Sequence, residues 1–128
     1  MMIHDINQNK REVILLIHPM NFFGKMMVDS MAKKLGNEYR YIVPNLSGHG
    51  KAKDNLYIST TEEAATLACY LKEHDLCTIK MAFGASLGGG VLLELVKDKN
   101  LHIQKLFFEG TSFFEKQDLS QKCWGMYF

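Results

Sequence analysis

The chain has 128 residues, of which 47% are hydrophobic and 23% charged, and its formal net charge is +1. That length holds one modest domain with its own core, and the composition is that of an ordinary soluble globular protein. The even charge balance argues against nucleic-acid or anionic-membrane partners, no apolar run nears the roughly 18 residues of a membrane span, and residues 1–10 lack the apolar stretch of a secretory signal.

Residues 1–10 are polar with a short alternation from Ile3 to Ile6, which fits either an edge strand or a loose lead-in. Val13 to Ile17 is an unbroken β-branched and apolar run, the pattern of a strand covered on both faces. It ends at His18-Pro19, where the proline bars further pairing. Residues 21–24 read as a turn. Residues 25–35 read as a helix with Met27, Met31 and Leu35 on one face and Gly36 as its cap. Residues 39–43 make a second strand closed by Pro44, and Asn45-Leu46-Ser47-Gly48-His49-Gly50 is a glycine-punctuated loop.

Thr60 with Glu63 three residues on forms a capping box. Ala64, Leu67, Ala68 and Leu71 then fall at i, i+3, i+4 and i+7, which predicts a helix over about 61–73. Residues 77–83 are strand-like, residues 89–97 helix-like, and residues 105–109 a fourth strand. The alternation of strand and helix predicts an α/β fold: a parallel sheet of about four strands with helices on both faces and right-handed crossovers. Residues 111–128 carry Phe113, Phe114, Trp124, Tyr127 and Phe128 without clear periodicity. Aromatics so placed need something to pack against, so 1–128 reads as a single, truncated domain.

Between the third strand and its helix stands Gly84-Ala85-Ser86-Leu87-Gly88, a G-x-S-x-G sequence in the strand–turn–helix setting of a nucleophile elbow. The tight turn presents the Ser86 hydroxyl clear of the sheet, and the helix start offers free N–H groups where an oxyanion would form. A phosphate loop fits less well. The Lys-Ser/Thr pair is absent, and the G-x-G-x-x-G spacing is not met at 84–90. Cys69, Cys77 and Cys123 are odd in number and lack C-x-x-C spacing, so free thiols in a reducing, cytoplasmic compartment are expected. No metal-ligand spacing is present and no cofactor is implied.

Together, Leu15-Leu16-Ile17-His18-Pro19-Met20, Pro44-Asn45-Leu46-Ser47-Gly48-His49-Gly50 and Gly84 to Gly88 resemble, in that order, three motifs of the α/β-hydrolase family. The resemblance covers roughly residues 11–115. Pro19 stands in place of the glycine of a His-Gly oxyanion loop, and Asn45 replaces an acid in the P-D-x-x-G-H-G loop. The resemblance implies Ser86 as nucleophile, the backbone N–H groups of Met20 and Leu87 as oxyanion donors, and a small-molecule acyl substrate. His18 and His49 are expected to brace their loops, and His4 and His74 to lie at the surface.

A serine hydroxyl needs an imidazole to accept its proton and a carboxylate to orient that imidazole. The family order is Ser, acid, His. After Ser86 the only histidine is His102, expected at the opposite end of the sheet. Glu109 ends the fourth strand on the edge where sites collect, which makes it a candidate acid. The implied function is hydrolysis of ester or other acyl bonds, impaired in this chain for want of a base. Alternatives are a non-catalytic, hydrolase-like protein that binds an acyl ligand or a partner chain, and an acyltransferase. The open edge of the fourth strand invites association with a second copy.

Overall fold

Val13–Ile17 forms β2, buried along its whole length at the centre of a five-stranded sheet. The computed structural model describes residues 1–111, so Cys123 and the aromatics from Phe113 onward lie outside the described residues. Alternate side chains of β2 enter two different cores, as strand geometry requires. Val13, Leu15 and Ile17 pack with Leu67, Leu71, Val91 and Leu92 on one side, and Ile14 and Leu16 with Met27, Ala32 and Tyr41 on the other. Having two cores explains why the run carries no polar alternation. Each fully buried Leu or Ile here contributes about 1.5–3 kcal/mol.

The sheet order is β1 (Met2–Ile6), β3 (Arg40–Asn45), β2, β5 (Met81–Ala85) and β7 (Leu106–Glu109). β3, β2, β5 and β7 are mutually parallel, and β1 pairs antiparallel with β3. The start of the chain is therefore the edge strand. A parallel pair, β4 (Thr78–Ile79) and β6 (His102–Ile103), forms a separate two-stranded sheet. The strand expected at 77–83 is thus divided at Lys80, whose N–H donates to the Val13 carbonyl at 2.9 Å. Pro44 does not close β3 as expected. Pairing with β2 ends at Leu15 and Ile42, so beyond Ile42 the strand is paired on its β1 side alone, where a proline is tolerated as at an edge.

The helices cover both faces. On one lies a continuous helical segment: α1 (Gly24–Met27), a π-helical turn (Val28–Ala32) and α2 (Lys33–Leu35), ended at Gly36 with φ 99°. The expected Met27, Met31, Leu35 face is only partly realised. The π turn inserts one extra residue, so the buried apolar side chains are Met27 and Ala32, five apart, while Leu35 is 40% exposed. On the other face lie α3 (Thr60–Glu73) and α4 (Leu87–Leu95). α3 buries Ala64, Leu67, Ala68 and Leu71, the stripe its periodicity predicts. Its cap is Ser59, whose hydroxyl accepts from Glu62 N–H at 3.1 Å, so the helix is capped one residue earlier than the expected Thr60. Among the described residues no helix is long and apolar enough to cross a membrane.

Candidate active site

Between the last residue of β5, Ala85, and the first of α4, Leu87, the chain reverses through one residue. Ser86 has φ 47° and ψ −110°, in the left-handed region that costs a non-glycine residue of order 1–3 kcal/mol unless its surroundings enforce it. They do enforce it. Ser86 N–H donates to the Glu109 carbonyl at 2.7 Å, and Ser86 carbonyl accepts from Gly90 N–H at 3.1 Å. The residue is exposed, and among the described residues its hydroxyl makes no hydrogen bond.

The glycines around it are sterically required. A Cβ at Gly84 would stand 2.7 Å from the Gly88 carbonyl oxygen, and one at Gly88 would collide with the carbonyls of Ile17 and His18, the latter at 2.6 Å. The first turn of α4 therefore lies directly on the end of β2. Gly89, outside the motif, leaves room for the buried Thr111, whose hydroxyl bonds the Glu109 carbonyl at 3.3 Å.

That contact sets the loop after β2 beside the elbow. Pro19 to Phe22 is a turn closed by Phe22 N–H to the Pro19 carbonyl at 3.2 Å. Asn21 at φ 66° gives it the third-position conformation of a type II turn. The turn expected at 21–24 thus falls two residues earlier, and Gly24 opens α1. Met20 is 60% exposed, and its N–H has no partner among the described residues. Leu87 N–H is one of the unsatisfied donors of the first turn of α4. Both N–H groups belong to segments that the contact of Gly88 with the end of β2 brings next to each other.

A buried polar layer joins these segments to the loop after β3. His18 is fully buried; its Nδ1 lies 2.8 Å from the Pro19 carbonyl, and its Nε2 accepts from Leu46 N–H at 3.0 Å. Burial holds its pKa below 6.5 and the neighbouring His49 pushes the same way, against the Pro19 hydrogen bond and the Glu63 charge. His49 stands 5.2 Å from His18 ring to ring, with Nδ1 3.0 Å from the Ser47 carbonyl.

Glu63, 4% exposed, reaches from α3 to accept Ser47 N–H at 3.0 Å. Asn45, 1% exposed, accepts from Gly24 N–H and lies 3.2 Å from His4 Nε2. His4, half-buried on the edge strand, adjoins this layer, and burial first, then the Lys51 and Lys25 charges, lowers its pKa. Neither His4 nor Glu63 was expected here. The signal for Glu63 was its position four residues before Leu67, on the buried stripe of α3.

Glu109 pairs with Ala85 in register, adjacent to Ser86. Its carbonyl holds the elbow, while its exposed side chain borders an apolar groove with Met31, Leu35, Phe83 and Phe107. His102 lies in β6, which precedes β7 just as β4 precedes β5, at the opposite end of the strands from Ser86. His74 is exposed and stacks on Tyr70 at 4.0 Å. Among the described residues no three His, Cys, Asp or Glu side chains are grouped as a metal would need.

No protein-family model matches the sequence, and no curated protein matches it. Solved structures do match. A Desulfitobacterium hafniense protein described as an α/β-hydrolase family member superposes with a TM-score of 0.82 at 21% identity, over 94% of this chain and 48% of that one. The N-acyl homoserine lactonase AidH, complexed with N-butanoyl homoserine, gives 0.75 at 20% identity over 94% and 49%. An esterase from Exiguobacterium antarcticum gives 0.73 at 20% identity over 98% and 46%. The fold is that of the α/β hydrolases, and the chain spans about half the length of these structures.

Proposed function

We propose that this chain carries the nucleophile-bearing half of a serine hydrolase acting on ester or other acyl bonds. Ser86 Oγ attacks the acyl carbon, and its proton passes to a base and then to the leaving group. The oxygen that gains negative charge is held by Met20 and Leu87 N–H, each such donor typically contributing about 3–4 kcal/mol. Water then attacks the acyl ester on Ser86 and releases the acid. The observation that carries this reading is the enforced φ 47° of an exposed serine at the start of α4. Neighbours described as an esterase and an N-acyl homoserine lactonase support small acyl esters and lactones as the substrate class. Transfer of the acyl group to an alcohol or thiol uses the same parts and is the weaker alternative.

The base is the missing part. Both nitrogens of His18 are engaged, and among the described residues no imidazole bonds the Ser86 hydroxyl. Residues 1–128 alone therefore react several orders of magnitude below a complete site, with Glu109 the candidate acid. The test is a fluorophosphonate probe, with a p-nitrophenyl ester in parallel. Weak labelling that disappears in Ser86→Ala is expected. Fast labelling would overturn the absence of a base, and labelling that survives Ser86→Ala would overturn the nucleophile.

A second reading is association without catalysis, favoured by β7. Among the described residues it is the last strand in the sheet order, with Leu106 43% and Phe107 48% exposed. A second copy pairing along β7 would cover them. The free thiols Cys69 and Cys77 support a reducing, cytoplasmic setting.

A further inference from the structure

We infer that His18, as a neutral imidazole protonated on Nδ1, is a positioning residue that aims the Met20 N–H at the acyl oxygen. This rests on the oxyanion role proposed for Met20.

The tautomer follows from the partners. A backbone N–H can only donate, so the Leu46 N–H at 3.0 Å requires a bare Nε2. A carbonyl can only accept, so the Pro19 oxygen at 2.8 Å requires a proton on Nδ1. The Pro19 oxygen then receives two donors, the imidazole and Phe22 N–H at 3.2 Å. Pro19 C=O and Met20 N–H belong to one planar trans peptide group and point in opposite directions. Fixing the carbonyl fixes the N–H. The same ring, through Leu46, ties this turn to the start of the loop after β3.

Protonating Nε2 would set two donors against each other at Leu46, so a charged ring gives up the tie to the loop after β3 while Nδ1–H still donates to Pro19. The groups facing the ring divide in sign: His49 opposes the charge and Glu63 favours it, with burial the largest influence. The folded pKa lies below 6.5, so the stability that the neutral ring and its Leu46 bond contribute is complete above that ordinary value. It is lost as pH falls from 6.5 toward the lowered value.

Nitrogen-15 spectra of the histidine rings in the wild-type chain, taken from about pH 8 to about pH 5, test the clamp without any activity. Nδ1–H with a bare Nε2 through pH 6.5 supports it. An Nε2–H tautomer, or a ring already half charged at 6.5, overturns it. The aiming is tested with His18→Ala and His18→Asn, because the Asn amide N–H stands where Nδ1–H stood. The Met20 amide resonance should move in His18→Ala and return in His18→Asn. Fluorophosphonate labelling of Ser86 should fall about tenfold and recover in the same order, a part of what loss of a whole donor costs. Equal effects of Ala and Asn on the Met20 resonance overturn the aiming. A restored resonance with labelling indifferent to both variants supports the aiming and sinks the oxyanion role instead.

Discussion

At Gly88 a single methyl group has nowhere to go. Its place is taken by the Ile17 and His18 carbonyls, which are backbone and cannot swing aside. Gly88→Ala is therefore expected to cost about 3 kcal/mol or more, measured by chemical denaturation. Gly90→Ala, whose Cβ would meet only the Thr60 methyl at 3.3 Å, should change stability by less than about 1 kcal/mol. The G-x-S-x-G spacing made both glycines legible as a motif, although only the requirement at Gly84 is local to the turn, that at Gly88 being set by the end of β2. The packing of Thr111 on Gly89 was not legible, since it joins residues that only the sheet brings together. The polar layer shows the same division. His18 and His49 stood out beside motif residues, whereas Glu63 bonds a loop amide 16 residues away.

Among the elements, α3 separates what periodicity fixes from what it leaves open. Its stripe of Ala64, Leu67, Ala68 and Leu71 is buried as spaced, but the cap expected at Thr60 falls at Ser59. The hydroxyl that faces Glu62 N–H belongs to Ser59. Ser59→Ala should cost about 1 kcal/mol in thermal or urea unfolding and Thr60→Ala only a few tenths. Equal costs would mean the cap has moved. The helical segment before Gly36 was legible in extent, but not in its face. A π turn depends on how Met27 and Ala32 both reach the sheet, and no 3.6-residue pattern encodes that. Pro44 misled for a related reason: whether a proline ends a strand depends on which neighbours that strand has, a fact of topology.

For the molecule as a whole, the order of strands and helices was enough to anticipate a parallel α/β sheet, because β-branched runs alternating with amphipathic ones have few other solutions. The antiparallel edge formed by β1 was left open by its short, weakly patterned sequence. At the other edge, Phe107 is 48% exposed beside the apolar groove. If copies associate along β7, sedimentation velocity of the wild-type chain shows a concentration-dependent dimer, and Phe107→Lys, an edge-blocking charge, returns it to monomer. A wild-type monomer with slow amide exchange over 105–109 would rule that association out.

The hydrogen bond from Ser86 N–H to the Glu109 carbonyl couples that outer edge to the candidate site. The marginal strand grips the proposed nucleophile by its own main chain, so fraying at the rim would loosen the corner in which that serine is held. Whatever seals the rim also steadies the Ser86 backbone. Exchange of the Ser86 amide with solvent would therefore gauge how firmly the last strand is docked.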